Sequence, residues 1–416
     1  MSLVLLASTI FDGALAVLGA AILMRWATLA VLSAVDWLRR QGQTPVEPER
    51  WPKVAVVIPA YNEDKVVEAA VSTALAADYP DLMVVVVDDG SADDTWEVAE
   101  TLAAHPRVSA VAQRPNQGKP AALDAGIAVA DAEIVVTVDA DTVLRADAVR
   151  HLVRPLALDP KVGAVAGNVK VGNRGTVLAI FQSLEYVTGL NLGRRAQHVL
   201  GCITTVPGAA GAWRTQAIAD VGGVPGRTRI EDTDLTLKVQ IAGWKVVYEP
   251  AAVAYTEAPQ TLGGLVAQRT RWVAGYLQVV WLYRGEVFRH GTLGWLGLPD
   301  LIYKNVLAFV LLPLIIPALV RVAASFSIVS LLELLFGLIA LDALATALAY
   351  VEDRERWAEL LWVPARRVFW PWFLAFVLVR ALWIEMRRGQ VPWAKVDREG
   401  SLARAARDSD GPRVVR

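Results

Sequence analysis

Long apolar runs lie at both ends of the chain, and they exclude a fold made of one ordinary soluble domain. Residues 3–38 are nearly all apolar, with interruptions at Asp12 and Arg25. A membrane-spanning helix needs about 20 such residues, so we predict one long helix over roughly residues 12–38, with two short helices as the alternative. The run is too long for a cleaved signal peptide and lacks a basic start. The arginine pair that ends it predicts a cytoplasmic C-terminal end.

Three apolar runs near the C-terminus are candidates for further membrane helices. They are Leu301–Ala323, Phe326–Tyr350 and the shorter Val368–Met386. Arginines between the second and third runs predict a cytoplasmic connection near residues 351–367. One crossing before the central region and three after it place the charged tail, residues 387–416, outside the cell, whereas the basic residues of that tail favour the inside. Either the third run lies in the membrane interface or a fourth crossing exists.

The region between the apolar ends has the pattern of an α/β domain. The chain is 55% hydrophobic but 20% charged, which is too charged for a protein made only of membrane helices. Short β-branched runs alternate with helical stretches. The runs are Val54–Ile58, Met83–Val87, Ser109–Ala112 and Ile134–Val138, and the helical stretches are Glu63–Ala77, Thr95–Ala104 and Pro120–Ala130. This order predicts a mostly parallel, Rossmann-like sheet with helices on both faces.

These patterns predict a division of the chain into six parts. The predicted parts are an N-terminal transmembrane segment at 1–40, a polar linker at 41–52, a globular domain at 53–285, an interfacial segment at 286–300, transmembrane helices at 301–386 and the tail. A net charge of −1 gives no indication of nucleic-acid binding. The single cysteine, Cys202, excludes a disulfide within the chain, and no Cys/His cluster has the spacing of a zinc site.

Polar and acidic residues follow three of the predicted strands. The loops are Pro59–Glu63, Asp88–Ser91 and Asp139–Asp141. One such loop is most simply a helix cap or a turn, but ligands bind beyond the C-terminal ends of parallel strands, so three loops there predict a site. Asp139 and Asp141 project to the same face of an extended backbone. Two adjacent carboxylates repel each other unless a cation lies between them, and their oxygens suit Mg²⁺ or Mn²⁺.

Later motifs have both a structural and a functional interpretation. Lys119 follows a glycine at the start of a helix, where it is either a surface residue or a ligand for an anion at the helix N-terminus. The Ile230–Asp234 motif either caps a helix or delivers a carboxylate that acts as a general base. Gln268 and Arg271 lie three residues apart on one helix face. In the functional interpretation, Arg271 binds pyrophosphate and Trp272 stacks on a sugar ring. In the structural interpretation, both residues anchor the chain at the membrane interface.

Taken in order, these motifs resemble those of the family 2 glycosyltransferases, and specifically of the processive membrane synthases. The set comprises Pro59–Glu63, Asp88–Ser91, Asn116–Lys119, Asp139–Asp141, Glu231–Asp232 and Gln268–Trp272. Each motif is weak by itself, but the ordered set covers about 220 residues. The stretches Ala164–Asn168 and Val206–Arg214 are most similar to synthases of poly-N-acetylglucosamine and of chitin-like oligomers. Hyaluronan and cellulose synthases are related to these.

The resemblance implies a role for each matching residue. The residues implied to bind the nucleotide sugar are Ala60, Tyr61, Glu63, Asp89, Lys119, Asp139, Gln268 and Arg271. Those implied on the acceptor side are Gly208, Gly211, Glu231 and Trp272. The implied ligands of Mg²⁺ or Mn²⁺ are Asp139 and Asp141. Asp89 would contact the uracil ring, and Asp232 would take the proton from the acceptor hydroxyl group.

The resemblance also implies a fold and an activity. The fold would be the GT-A nucleotide-diphospho-sugar transferase fold fused to transmembrane helices. The activity would be inverting transfer of a sugar, N-acetylglucosamine above others, from a UDP-sugar to a growing β-linked exopolysaccharide, with export of the product. The protein would be a multi-pass protein of the inner membrane, with a cytoplasmic catalytic domain and an accessory membrane or export subunit.

Two other functions compete with this expectation. The first is transfer of one sugar to a polyprenyl phosphate lipid, although such enzymes typically lack the Gln-x-x-Arg-Trp motif found at 268–272. The second is a membrane module that senses a nucleotide sugar without turnover, although the intact set Asp139, Asp141 and Asp232 argues against it.

Overall fold

The computed structural model describes residues 3–307 and 328–387, together with positions 400 and 402. The predicted membrane run Leu301–Ala323 lies mostly outside the described residues, and so do most of the tail residues on which the topology conflict depends.

The first four strands form the parallel half of an eight-stranded sheet. They are β1 (Val54–Ala60), β2 (Leu82–Asp88), β3 (Val108–Ala112) and β4 (Ile134–Thr137), in the spatial order β3-β2-β1-β4. The four predicted strands are confirmed, and the Val and Ile side chains of β1, β2 and β4 are buried because helices cover both faces of the sheet, whereas the edge strand β3 is only partly buried. In the register, Ala60 pairs with Asp88 and Val57 pairs with Thr137. The loops after β1, β2 and β4 therefore leave the sheet at the same edge, as predicted.

The other half of the sheet is mixed, and the apolar pattern does not predict its strands. They are β5 (Thr142–Leu144), β6 (Val162–Val171), β7 (Gly211–Arg214) and β8 (Lys245–Thr256). The short strand β7 lies between β4 and β6 and runs antiparallel to both, while β8 runs parallel to β6. Strand β6 is buried along its whole length although it contains Asn168 and Lys170. These polar residues interrupt the apolar run by which a buried strand is recognised.

Helices cover both faces of the sheet and continue beyond it. In chain order they are α1 (Leu3–Arg40), α2 (Val67–Leu75), α3 (Thr95–Leu102), α4 (Lys119–Val129), α5 (Ala148–Leu158), α6 (Val177–Glu185), α7 (Leu192–Leu200), α8 (Thr215–Asp220), α9 (Glu231–Ile241), α10 (Leu262–Tyr283) and α11 (Leu298–Ile302), and then the helices Ile328–Asp353 and Val363–Met386. The three predicted helices of the parallel half correspond to α2, α3 and α4. Helix α2 begins four residues later than predicted, because Asn62 has a φ of 55° and residues 63–66 form a turn.

Three π-helical segments occur in the described chain. Tyr186–Asn191 joins α6 to α7, Leu293–Gly297 precedes α11, and Tyr303–Leu307 follows it. Such turns are rare and are found frequently at functional sites. Helix α7 directly follows the first of these segments and packs against α1.

Apolar surface is exposed on the helices at both ends of the chain. Two described segments are long and apolar enough to cross a membrane, Ala20–Arg40 in α1 and Trp357–Met386. The helix Ile328–Asp353 also exposes large apolar side chains, among them Phe336 and Leu344. Apolar surface of this extent marks a membrane or a protein interface rather than an ordinary soluble surface.

A buried cluster of ion pairs joins these apolar helices to the α/β domain. The guanidinium of Arg195 in α7 lies 3.2 Å from Asp36 of α1 and 2.9 Å from Asp353, the last residue of the helix Ile328–Asp353. Nδ2 of Asn191 also donates to Asp353, at 3.0 Å. Buried charges are stable only when they are paired and hydrogen-bonded, so this cluster fixes the position of the domain against the helices.

We expect the substitution Arg195→Leu to destabilise the protein by about 3–5 kcal/mol, because it leaves buried carboxylates without their counter-ion. The matched control is Arg50→Leu, which breaks an exposed pair with Glu133 and should cost less than about 1 kcal/mol. Thermal unfolding of the full chain in one detergent compares the two variants. Equal losses would contradict the structural role of the buried cluster.

Candidate functional site

Hydrogen bonds join the loops that follow β1 and β2. The backbone N–H of Asn62 donates to the hydroxyl of Ser91 at 2.8 Å, and its side-chain oxygen accepts from the N–H of Ala92 at 2.7 Å. The N–H of Glu63 donates to the hydroxyl of Thr95 at 2.7 Å. These bonds join the loop that carries the predicted pocket residues Ala60, Tyr61 and Glu63 to the loop after β2.

Asp89 organises the loop that precedes α4. Its two carboxylate oxygens accept hydrogen bonds from the backbone of Gln117 and Gly118 and from the side chain of Gln113, each at 2.8 Å. Gly90 beside it has a φ of 76°, and a Cβ at this position would lie 2.8 Å from the backbone nitrogen of Asn116. Glycine therefore lets the two loops meet. Asp89 therefore connects the loop after β2 to the loop before α4. Its contact with a uracil ring stays a prediction.

Lys119, the first residue of α4, connects three elements at the centre of the site. Its Nζ lies 2.6 Å from Asp139, which follows β4, and 2.9 Å from Glu231, the first residue of α9. Burial disfavours the ammonium form, but the attraction of Asp139 and Glu231 outweighs burial and raises the pKa of Lys119. A Cβ on Gly208 would lie 2.7 Å from the same Nζ. The structure thus brings Lys119, Asp139 and Glu231 into direct contact, with Gly208 next to them.

The carboxylates that fit a divalent cation are those of Asp139 and Asp141. Oδ1 of Asp141 accepts hydrogen bonds from the hydroxyls of Thr142 at 3.1 Å and Thr256 at 3.2 Å. Both aspartates supply the hard oxygen ligands that Mg²⁺ and Mn²⁺ prefer. Across residues 3–307 and 328–387, no group of three or more His, Cys, Asp and Glu side chains is placed to hold a metal.

Asp232 lies directly beside the pair formed by Lys119 and Glu231. One of its carboxylate oxygens accepts a hydrogen bond from the N–H of Thr233 at 2.7 Å. Burial and the charge of Glu231 raise the pKa of Asp232 to about 6, against the opposing attraction of Lys119. A carboxylate whose pKa lies close to neutral pH is suited to accept a proton and release it again.

Helix α9 begins earlier than the sequence predicts. In the capping interpretation the Ile230–Asp234 motif precedes the helix, but the helix starts within the motif, at Glu231, and its N-cap is Ile230. Three carboxylates therefore lie in its first turn, where the helix dipole favours negative charge.

A cleft of about 400 Å³ opens beside Lys119. The N-terminus of α4, the loop before α9 and Arg271 of α10 line it, and its third basic residue is Arg229. Backbone N–H groups at a helix N-terminus together with cationic side chains favour an anion such as a phosphate. Arg229 was not predicted, because two arginines in a Gly-rich loop look like an exposed turn. It also lies 3.3 Å from Glu385 of the last described helix.

Gln268 and Trp272 do not line this cleft. The side-chain oxygen of Gln268 accepts a hydrogen bond from Arg269. The guanidinium of Arg269 lies 4.1 Å from the ring centroid of Trp272, and that ring lies 6.4 Å from the ring of Tyr186 in the first π-helical segment. The predicted motif therefore divides, with Arg271 at the cleft and Trp272 at the π-helical segment.

Asp234 has a structural role that the sequence does not reveal. It is fully buried, and its two oxygens each accept a hydrogen bond from Arg227 at 2.9 Å. The hydroxyl of Tyr283 in α10 donates to it at 2.5 Å. These bonds fix the loop that forms one wall of the cleft. Tyr283 is 49 residues from Asp234 in the chain, so the sequence spacing does not reveal this partner.

Comparisons with known proteins agree with this geometry. A family model described as glycosyltransferase like family 2 matches residues 52–275. The poly-beta-1,6-N-acetyl-D-glucosamine synthases of Staphylococcus aureus (strain COL) and Staphylococcus epidermidis are each 32% identical over 227 residues, which is 55% of this chain and 55% of theirs. The chain therefore spans about half the length of these relatives.

The fold is shared with a solved structure, the mannosyltransferase PcManGT from Pyrobaculum calidifontis in complex with GDP-Man and Mn²⁺. The two structures align with a TM-score of 0.60 at 24% identity, over 86% of this chain and 99% of that one. The predicted GT-A nucleotide-sugar transferase fold is confirmed for the α/β domain.

We expect Gly208→Ala to lower the rate of sugar transfer by about tenfold or more, because the added methyl group has to displace Lys119 from Asp139 and Glu231. The matched control is Gly175→Ala, where an added Cβ meets nothing within 4 Å. Release of nucleoside diphosphate measures the rate, and the thermal unfolding midpoint checks the fold. A Gly208→Ala protein as active as the control would contradict the central position of Lys119.

Proposed function

We propose, since the chain belongs to the glycosyltransferase-like family 2 and is a glycosyltransferase, that it transfers N-acetylglucosamine from UDP-N-acetylglucosamine to a growing β-linked glycan. The synthases that it resembles support this donor and product. Their similarity covers about half of their length, so donor, linkage and processivity are parts of the proposal.

The observation that carries the proposal is the contact of Lys119 with Asp139 and Glu231 beside Asp232. In the proposed reaction, Lys119 and Arg271 hold the donor diphosphate, and Asp232 accepts the proton of the acceptor hydroxyl group. The acceptor oxygen then bonds to the anomeric carbon as the bond from that carbon to UDP breaks. One displacement of this kind inverts the configuration and requires no enzyme nucleophile.

Asp139 and Asp141 would hold Mg²⁺ or Mn²⁺ in this proposal. When bound, such a cation neutralises the charge that develops on the departing diphosphate. The residues themselves have a second effect, because Asp139 also attracts Lys119 and so holds the ammonium next to the cleft. Asp139 would thereby orient both the divalent cation and the Lys119 ammonium towards the departing diphosphate.

The remaining predicted residues divide between the two substrates. The loop with Ala60, Tyr61 and Glu63, together with Asp89, would surround the nucleotide. Gly208 and Gly211 would lie on the acceptor side, where the lack of a side chain lets Lys119 pack against Gly208 and Val206 against Gly211. Glu231 would position Lys119 as well as the acceptor, and Trp272 would carry the acceptor sugar on the side of Tyr186. Gln268 would act indirectly, by accepting a hydrogen bond from Arg269.

The membrane arrangement is part of the same proposal. The segments Ala20–Arg40 and Trp357–Met386 would cross the bilayer, and the α/β domain at 53–285 would lie in the cytoplasm. The product would then be exported, with or without an accessory subunit. Exposed apolar side chains on the helices at both ends of the chain support this arrangement.

Incubation of the purified full chain with UDP-N-acetylglucosamine, UDP-glucose and UDP-glucuronate in turn tests the proposal. We expect Mg²⁺- or Mn²⁺-dependent release of UDP with the first donor and a product of many sugar units. Release of UDP from none of the three would refute the donor class. A product with a single lipid-linked sugar would refute chain extension.

We expect Asp232→Asn to lower transfer by about 10²–10⁴-fold, because the amide cannot accept the proton of the acceptor. The matched control is Asp131→Asn, which changes an exposed aspartate that pairs with Lys53 and should leave the rate unchanged. Both variants are compared by steady-state UDP release. Full activity of Asp232→Asn would assign the base to another residue.

The pH dependence follows from the same carboxylate. The pKa of Asp232 is raised to about 6, and the base has to be ionised, so kcat/KM should fall as the pH decreases through about 6. An aspartate with an ordinary pKa would keep its activity to about pH 4. The profile is measured between these limits with the intact protein, and a flat profile would contradict the role of Asp232.

A further inference from the structure

A closed set of polar contacts joins the cleft to the last described helix. The backbone N–H of Arg229 donates to the side-chain oxygen of Gln278 at 3.1 Å, and the amide group of Gln278 donates to Glu385 at 3.3 Å. Nη2 of the Arg229 guanidinium lies 3.3 Å from the same carboxylate oxygen of Glu385. These three residues therefore hold one another in place, although they come from the loop before α9, from α10 and from the helix Val363–Met386.

Arg229 is the member of this set that lines the cleft, where Lys119 and Arg271 are the other cations. Arg271 lies seven residues before Gln278 in α10. Seven residues are about 20° short of two full helical turns, so the two side chains leave nearly the same face of the helix. Helix α10 thus provides one cation of the cleft directly and anchors another one through Gln278.

The ion pair of Arg229 with Glu385 leaves the guanidinium able to bind a second anion. A guanidinium carries five N–H donors in a planar fork, so it can hold a carboxylate on one edge and a phosphate on another. The two side chains are 22% and 30% exposed, so a ligand can reach them. A long side chain loses conformational freedom when it binds an anion, and a partner that already fixes it removes part of that cost. Glu385 can therefore strengthen phosphate binding although its own charge opposes it.

We propose that Glu385 is a positioning residue, which holds Arg229 as a third cation for the diphosphate of the donor. The last described helix then sets how strongly the cleft prefers a nucleoside diphosphate to a monophosphate. A monophosphate carries less charge and fewer oxygen acceptors, so the loss of one cation weakens its binding less. This inference rests on the proposed nucleotide-sugar donor, but not on the base or the sugar of that donor.

Equilibrium binding of nucleotides to the full chain in detergent tests the inference without turnover. The probes are UDP with UMP, and GDP with GMP, all at one fixed concentration of Mg²⁺, and the pair whose diphosphate binds more tightly is used for every variant. We expect Arg229→Gln to lower the diphosphate affinity about tenfold or more, because hydrogen bonds between two charged groups are the strong ones. The monophosphate affinity should fall less. Arg229→Lys should restore a part of the loss, since an ammonium lacks the planar fork.

The sign of the effect of Glu385→Gln separates positioning from charge. Removal of a negative charge beside an anion site strengthens anion binding by electrostatics alone, whereas a positioning role lowers the diphosphate affinity, by about threefold. In the Arg229→Gln background the same change should have no further effect, because residues that act through one contact are not additive. The matched controls are Arg154→Gln and Glu286→Gln, which each remove one charge from an ion pair away from the cleft and should keep the original affinities.

The outcomes separate this inference from the proposed function, and unfolding midpoints of the free variants exclude a loss of fold as their cause. An unchanged diphosphate affinity in Arg229→Gln would overturn the phosphate contact, and a higher affinity in Glu385→Gln would overturn the positioning role. Binding of GDP but not of UDP contradicts the uridine donor of the proposed function, and the GDP pair then decides the inference. Binding of no nucleotide would overturn the inference itself, while UDP release during turnover still decides the proposed function.

Discussion

The positive charge of Lys119 holds together the carboxylates on which the site depends. Asp139, Glu231 and Asp232 come from two different elements and would repel one another without it. Its attraction also limits how far burial raises the pKa of Asp232. A donor diphosphate would compete for the same ammonium. Donor binding would therefore weaken the hold of Lys119 on Asp139 and free that carboxylate for a cation, which couples donor binding to cation binding through one side chain.

The sequence predicts the parallel half of the sheet because its strands are continuous runs of Val and Ile, buried on both faces. The mixed half escapes prediction for the opposite reason. Strand β6 includes Asn168, whose side chain serves as hydrogen-bond partner of Pro250 and Asn191, so its polarity reflects tertiary contacts. Strand β7 has four residues and lies between β4 and β6, antiparallel to both. The formation of β7 depends on its pairing with β4 and β6, so the local sequence pattern does not indicate it.

The candidate site shows the same division. Residues at the strand ends, such as Asp139, are predictable because parallel topology fixes the edge at which they leave the sheet. Residues that act through distant partners are not. Asp89 binds the loop before α4, and Gln268 binds Arg269 rather than the cleft. A motif identifies the residue types that a reaction needs, but only the folded backbone decides which of them face the substrate.

Helix α7 connects the apolar helices to the acceptor side of the site. Successive residues on a helix point in directions about 100° apart, and Arg195 accordingly enters the buried ion cluster while Arg194 donates to Asn191 at 3.3 Å. Asn191 joins the two environments, since its amide donates to Asp353 and its oxygen accepts from Arg194. These two hydrogen bonds link the last residue of the helix Ile328–Asp353 to the start of α7.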